Sequence, residues 1–100
     1  MATYIGLTTF TEQGIRSIKD TTKRAEAVKK AGGKFGVTVK EIFWTLGQYD
    51  LVTIFEAPDD ASVSAFGLSI AAAGNVRTQT MRAFSKDEMN GILGKMADGK

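Results

Sequence analysis

The chain has 100 residues, with 13 Lys and Arg against 11 Asp and Glu and a formal net charge of +2. That length suits one domain around one core, and an apolar fraction of 43% is ordinary for a globular fold. The absence of cysteine removes thiol catalysis, disulfides and thiolate metal sites, and the absence of histidine removes Ser-His catalysis, haem ligation by His, most zinc and copper sites and a histidine general base.

The opening Met1-Ala2-Thr3-Tyr4 lacks a basic region followed by an apolar run, so a signal peptide is not expected. No apolar stretch nears the roughly 20 residues that span a bilayer, and the expectation is a soluble cytoplasmic protein with no membrane partner. Residues 4–9 alternate as a first strand, with Ile5, Leu7 and Thr9 on one face and Tyr4, Gly6 and Thr8 on the other. Thr11 stands where it can cap a short helical turn containing Ile15 and Ile18.

A longer helix begins at Asp20 or Thr22. Ala25, Val28, Ala31 and Phe35 keep the helical spacing, and Gly32-Gly33 is expected to end the helix or loosen its last turn. Residues 12–40 carry most of the bases, whereas residues 41–60 carry only acids. The basic part invites a nucleic-acid reading. No aromatics interleave with the lysines, however, and a solvated helix face accounts for them, so no nucleic-acid partner is expected.

Residues 37–46 and Leu51–Ala57 are rich in β-branched and aromatic residues and read as the second and third strands. Gly47 frees the backbone between them and Asp50 favours a turn, which makes the pair antiparallel. Strict alternation places Ile42, Trp44 and Leu46 on one face of the second strand and Val37, Val39 and Phe43 on the other. Both faces of this hairpin are therefore apolar.

Pro58 stops the third strand, and Asp59 or Asp60 caps the next helix. That helix buries Val63, Phe66 and Ile70 and is otherwise mostly Ala, Ser and Gly, so a neighbour must approach it closely. Gly74-Asn75 is its expected stop. Residues 76–84 form the fourth strand, with Arg77 on the face of Gln79 and Met81, and Arg82 on that of Thr78 and Thr80. Ser85 and Glu88 have capping-box spacing, and Met89, Ile92, Leu93 and Met96 form one stripe of a terminal helix. Residues 97–100 are expected to fray.

The order β-α-β-β-α-β plus a C-terminal helix is an α+β, ferredoxin-like arrangement: one domain over residues 1–100, with two helices on one face of a four-stranded antiparallel sheet. A monomer would leave the other face wet and polar, yet the sequence makes it apolar. A second copy is expected to cover it, giving a homodimer or higher oligomer, most simply a two-fold dimer.

Gly47-Gln48-Tyr49-Asp50 at the hairpin and the preceding Lys40-Glu41-Ile42-Phe43-Trp44-Thr45 resemble the GYD-domain family of small bacterial proteins, in the dimeric α/β-barrel superfamily. Thr11-Glu12-Gln13-Gly14-Ile15, Glu56-Ala57-Pro58-Asp59-Asp60, Gly74-Asn75-Val76-Arg77-Thr78 and Arg82-Ala83-Phe84 extend the likeness over nearly the whole chain. Gln48 interrupts the contiguity that the family name suggests and is taken as a variable position. The resemblance implies a barrel-like dimer enclosing a cavity, with no agreed biochemical activity.

Five residues are candidates for binding a small molecule: Tyr4, Trp44, Tyr49, Asp50 and Arg77. Trp44 and Tyr49 can line an apolar cavity and offer polar tips, and Asp50 beside Tyr49 can act as a base or orient a phenol. Structural roles compete: Asp50 taking turn N–H groups, and Trp44 filling a dimer core. An arginine turned into the barrel, Arg77 or Arg82, needs a carboxylate from Glu41, Glu56 or a ligand. Asp59 and Asp60 look like caps, and Gly32–Gly36 lacks P-loop spacing, so neither metal nor cofactor is expected. The leading expectation is an oligomeric barrel binding a small organic molecule between sheet and partner subunit. The alternatives are a structural or regulatory oligomer with a filled interior and a cofactor-free monooxygenase or isomerase.

Overall fold

The structure, a computed structural model, describes residues 1–98. Four strands, β1 (Ala2–Phe10), β2 (Thr38–Trp44), β3 (Leu51–Ala57) and β4 (Val76–Ala83), form a sheet in the order β2-β3-β1-β4. Every neighbouring pair is antiparallel. The helices are α1 (Glu12–Arg16), α2 (Thr21–Gly32), α3 (Asp60–Ala72) and α4 (Lys86–Asp98). This is the expected ferredoxin-like order, and its two main helices cover the face carrying Tyr4, Phe55 and Val39. The fraying expected for residues 97–100 falls partly outside the described residues, since Gly99 and Lys100 are not among them.

Local chemistry explains several of the helix boundaries. The Thr11 side chain accepts the Gly14 N–H at 3.1 Å and caps α1. The Asp59 carboxylate accepts the Ser62 N–H at 2.8 Å and caps α3, and the hydrogen bonds from Ser62, the backbone one first, hold this carboxyl below its usual pKa. Ser85 and Glu88 form the reciprocal capping box of α4, at 3.0 and 3.1 Å. α2 ends at Gly32, but Gly32 and Gly33 both keep right-handed helical angles and a 3₁₀ turn carries on through Phe35. The left-handed stop is Gly36, at φ 73°. Gly32 answers a different need, because a Cβ there would lie 2.8 Å from the Val37 carbonyl oxygen.

β2 departs from strict alternation. Its pairing with β3 skips Lys40, a bulge between Val39 and Glu41. Val39, Ile42 and Trp44 consequently lie opposite Phe55, Thr53 and Leu51 on the helix side, and Phe43 lies opposite Val52 on the open side. The expectation that Val39 and Phe43 share a face is thus corrected: the extra residue reverses the phase between them. Leu46 lies beyond β2 and is exposed.

The core gathers at one end of the sheet. Tyr4 stacks on Phe55 with ring centroids 5.9 Å apart, Phe55 meets Phe66 edge-on at 6.3 Å, and Phe66 meets Phe35 at 5.8 Å. Val37, Val39, Ala57 and Val63 complete it. The open face carries Ile5, Leu7, Val52 and Ile54, all partly buried, with Phe43 and Met81 more exposed. α4 presents Met89, Leu93 and Met96 at 44%, 48% and 68% exposure. No helix among the described residues is long and apolar enough to cross a membrane.

Candidate functional site

The sheet's helix side is built from small side chains away from the aromatic core. Gly6, Thr8, Thr53, Thr78 and Thr80 form that floor, and Ala25 of α2 and Gly67 of α3 stand over it. Small residues facing small residues leave space, and a cavity of about 90 Å³ opens there, walled by Val28, Leu51, Phe55, Val63 and Phe66. A wider groove of about 280 Å³ adjoins it between α2 and α3, reaching Ser69 and Asn75. Arg24, Val28, Phe66, Ile70 and Val76 border both spaces.

Polar groups in this region are few and mostly local. The Thr8 and Thr78 hydroxyls pair at 3.1 Å across β1 and β4. Arg24 Nη1 donates to the Ser17 carbonyl at 2.7 Å and to Ser17 Oγ at 3.0 Å, and Nη2 donates to the Gly14 carbonyl at 3.1 Å. Its guanidinium lies 5.9 Å from the Phe10 ring centre. Residue patterning alone does not single out Arg24, because it stands among lysines on a helix whose charges look uniformly solvated. Its one signal is position: it falls three residues before Ala27 and four before Val28, at the edge of the buried stripe.

The five sequence candidates are dispersed. Tyr4 is buried in the core, and its hydroxyl donates to Asp60 Oδ1 at 2.5 Å. That acceptor, and secondarily desolvation, raises the phenol above its ordinary pKa. Trp44 sits at the helix-side rim, 44% exposed, with Nε1 donating to Thr21 Oγ1 at 3.0 Å. Neither Tyr4 nor Trp44 lines the cavity.

Tyr49 and Asp50 tie strands together. Asp50 Oδ2 accepts the Phe10 N–H at 2.9 Å, and the Asp50 N–H donates to the Thr8 carbonyl at 2.8 Å, so the hairpin end is stapled to the end of β1. The Tyr49 hydroxyl donates to Gln79 Oε1 at 3.1 Å, reaching β4. Arg77 is exposed on the open face, opposite Thr9. Arg82 pairs with Glu88 at 3.1 Å instead of Glu41 or Glu56, and lies 4.5 Å from the Phe84 ring centre. Glu56 faces Lys40 at 3.8 Å. The chain turns back at Ser85, which brings Glu88 within reach of Arg82. Among the described residues no cluster of three or more His, Cys, Asp or Glu could hold a metal ion.

The β-α-β-β-α-β topology and helix-side cavity define a ferredoxin-like α+β protein. The chain belongs to the GYD family: the GYD domain matches residues 4–93. It is 36% identical over 84 residues to the glutamine synthetase and cystathionine beta-lyase binding protein of Thermus thermophilus, covering 83% of this chain and 88% of that one. A crystal structure of a Thermus thermophilus protein shares the fold at TM-score 0.55 and 24% identity, covering 85% of this chain and 95% of that one. The C-terminal domain of the MgtC protein from Mycobacterium tuberculosis shares it at TM-score 0.51 and 11% identity, covering 81% and 85%.

Proposed function

We propose that this chain is a self-assembling binding protein whose cavity between the sheet and α2 and α3 takes a small organic molecule. The cavity carries the reading: apolar walls, hydroxyl groups on its floor and one guanidinium at its border are the makeup of a ligand pocket. This cavity lies on the helix side of the sheet, whereas the sequence expectation placed a pocket between the sheet and a partner subunit. Self-assembly is supported by the open face, where Ile5, Leu7, Phe43, Val52, Ile54 and Met81 form an apolar surface of the kind that marks an interface. A second copy packed sheet to sheet covers it with two-fold symmetry.

Native mass spectrometry of protein purified gently from its own host tests the proposal. A dimer or larger oligomer with a reproducible added mass supports both parts. A bare monomer at concentrations well above those of ordinary dimer dissociation overturns self-assembly, and failure of every member of a small-molecule panel to perturb the cavity residues overturns the ligand reading.

The relative's name favours a second reading, in which the oligomer docks on an enzyme. The exposed Met89, Leu93 and Met96 stripe on α4 is a surface suited to such a partner, since Met adapts its shape to irregular contacts. Co-purification of glutamine synthetase with the wild type but not with Leu93→Asp supports that role, and equal recovery with both opposes it.

A further inference from the structure

Given the binding role proposed above, we infer that the cavity's ligand is a small amphipathic carboxylate, its apolar part under α3 and its anionic group at Arg24. Three observations converge on this chemistry. First, Arg24 borders both the inner cavity and the outer groove, and among the five residues that do so it alone carries a charge. Second, that guanidinium is positioned but not neutralised. Its partners are two carbonyls and a hydroxyl, and the ion pairs among the described residues, Arg16–Glu12, Lys40–Glu56 and Arg82–Glu88, do not include it. Arg24 is half-buried against the Phe10 ring, where a charge is less screened than on an open helix face.

Third, the donors are unevenly spent. A guanidinium has five N–H groups, and the three bonds to Ser17 and Gly14 use Nη1 and one hydrogen of Nη2. Nε and one hydrogen of Nη2 are left to donate to an anionic group. The inner space limits the apolar part. At about 90 Å³ it is smaller than the roughly 150 Å³ void that holds benzene. It therefore admits a short branched chain or part of one ring, and the remainder of the molecule lies in the groove.

The test compares phenylacetate with phenylacetamide, which has the same shape without the charge, by titration of isotopically labelled protein followed in NMR spectra. Phenylacetate is expected to shift the amides of Gly6, Val28, Thr53 and Thr78 and to bind about tenfold or more tightly than the amide, as a hydrogen bond to a charged group implies. Arg24→Gln is expected to abolish that preference, bringing the two affinities within about twofold of each other. Gly67→Leu fills the space from α3, where a Cβ meets nothing within 4 Å, and is expected to remove binding of both compounds.

Equal affinity of the two compounds for the wild type overturns the carboxylate inference and leaves the cavity as a neutral-ligand site. Shifts confined to the open face, at Ile5 and Met81, overturn it as well. If neither compound moves the lining amides, both this inference and the ligand-binding reading fall.

Discussion

Gly14 and Gly67 are the same residue type under opposite constraints. A Cβ on Gly14 would come 2.0 Å from the Asn75 carbonyl oxygen, in a region already closed by Thr11 Oγ1 donating to the Gly74 carbonyl and Gln13 Nε2 donating to the Ala73 carbonyl. Gly14→Ala must push backbone apart and is expected to lower stability by about 1–3 kcal/mol in chemical denaturation. Gly67→Ala meets open space inside a helix and is expected to raise stability by about 0.5–1 kcal/mol. Asp50 shows the same specificity of place. Asp50→Ala leaves the Phe10 N–H without its acceptor and is expected to cost about 1–3 kcal/mol, whereas Asp50→Asn keeps a carbonyl there and costs less. Thermal denaturation of the two variants side by side checks this, and equal losses would show that charge, not the acceptor, matters.

At the scale of the element, α4 is held by its first turn. Glu88 accepts the Ser85 N–H and pairs with Arg82, and these two contacts, the backbone one first, hold its carboxyl below the usual glutamate pKa. A carboxyl lowered in the folded state stabilises above its ordinary pKa, and that contribution disappears as pH falls through the lowered folded value. Amide exchange protection in the first turn of α4 is therefore expected to fall on acidification below the glutamate range, and Glu88→Gln is expected to flatten that dependence. The α4 capping box, the hairpin and the four strands were legible because each is written in a few adjacent residues. The Lys40 bulge was not, since alternation carries no mark of an inserted residue until β3 supplies the pairing. Gly32-Gly33 reads as the helix stop for a similar reason: sequence shows which residues can adopt a left-handed turn, and only the folded chain shows that Gly36 does.

Across the whole molecule, the body measures 53 × 31 × 19 Å with a radius of gyration of 15.4 Å. About 13 Å is ordinary for this length. The excess agrees with an α4 that has few contacts with the rest of the chain, and with a sheet covered on one side. Under the self-assembly proposed above, Ile54→Asp, at the middle of the open face, is expected to shift the sedimentation coefficient from oligomer to monomer; an unchanged value would remove the open face from that proposal. The site was less legible than the fold. Tyr4, Trp44, Tyr49, Asp50 and Arg77 stand out by residue type, but Asp50 is engaged in strand-to-strand bonding and Tyr4 in the core, while the cavity arises from what Gly6, Thr53, Thr78 and Gly67 lack. Empty volume is a property of several elements together, and no single segment announces it.

The position of β1 between β3 and β4 has a consequence for the nascent chain. The first of these four strands to be made is the one that needs two neighbours, and both arrive later: β3 ends at Ala57 and β4 at Ala83. Until translation passes Ala83, β1 can be paired along one edge only, and the apolar residues Ile5 and Leu7 flank a row of unsatisfied backbone groups. A nascent chain in which β3 has emerged but β4 has not presents an open sheet edge, the situation in which chaperone capture or premature association competes with folding.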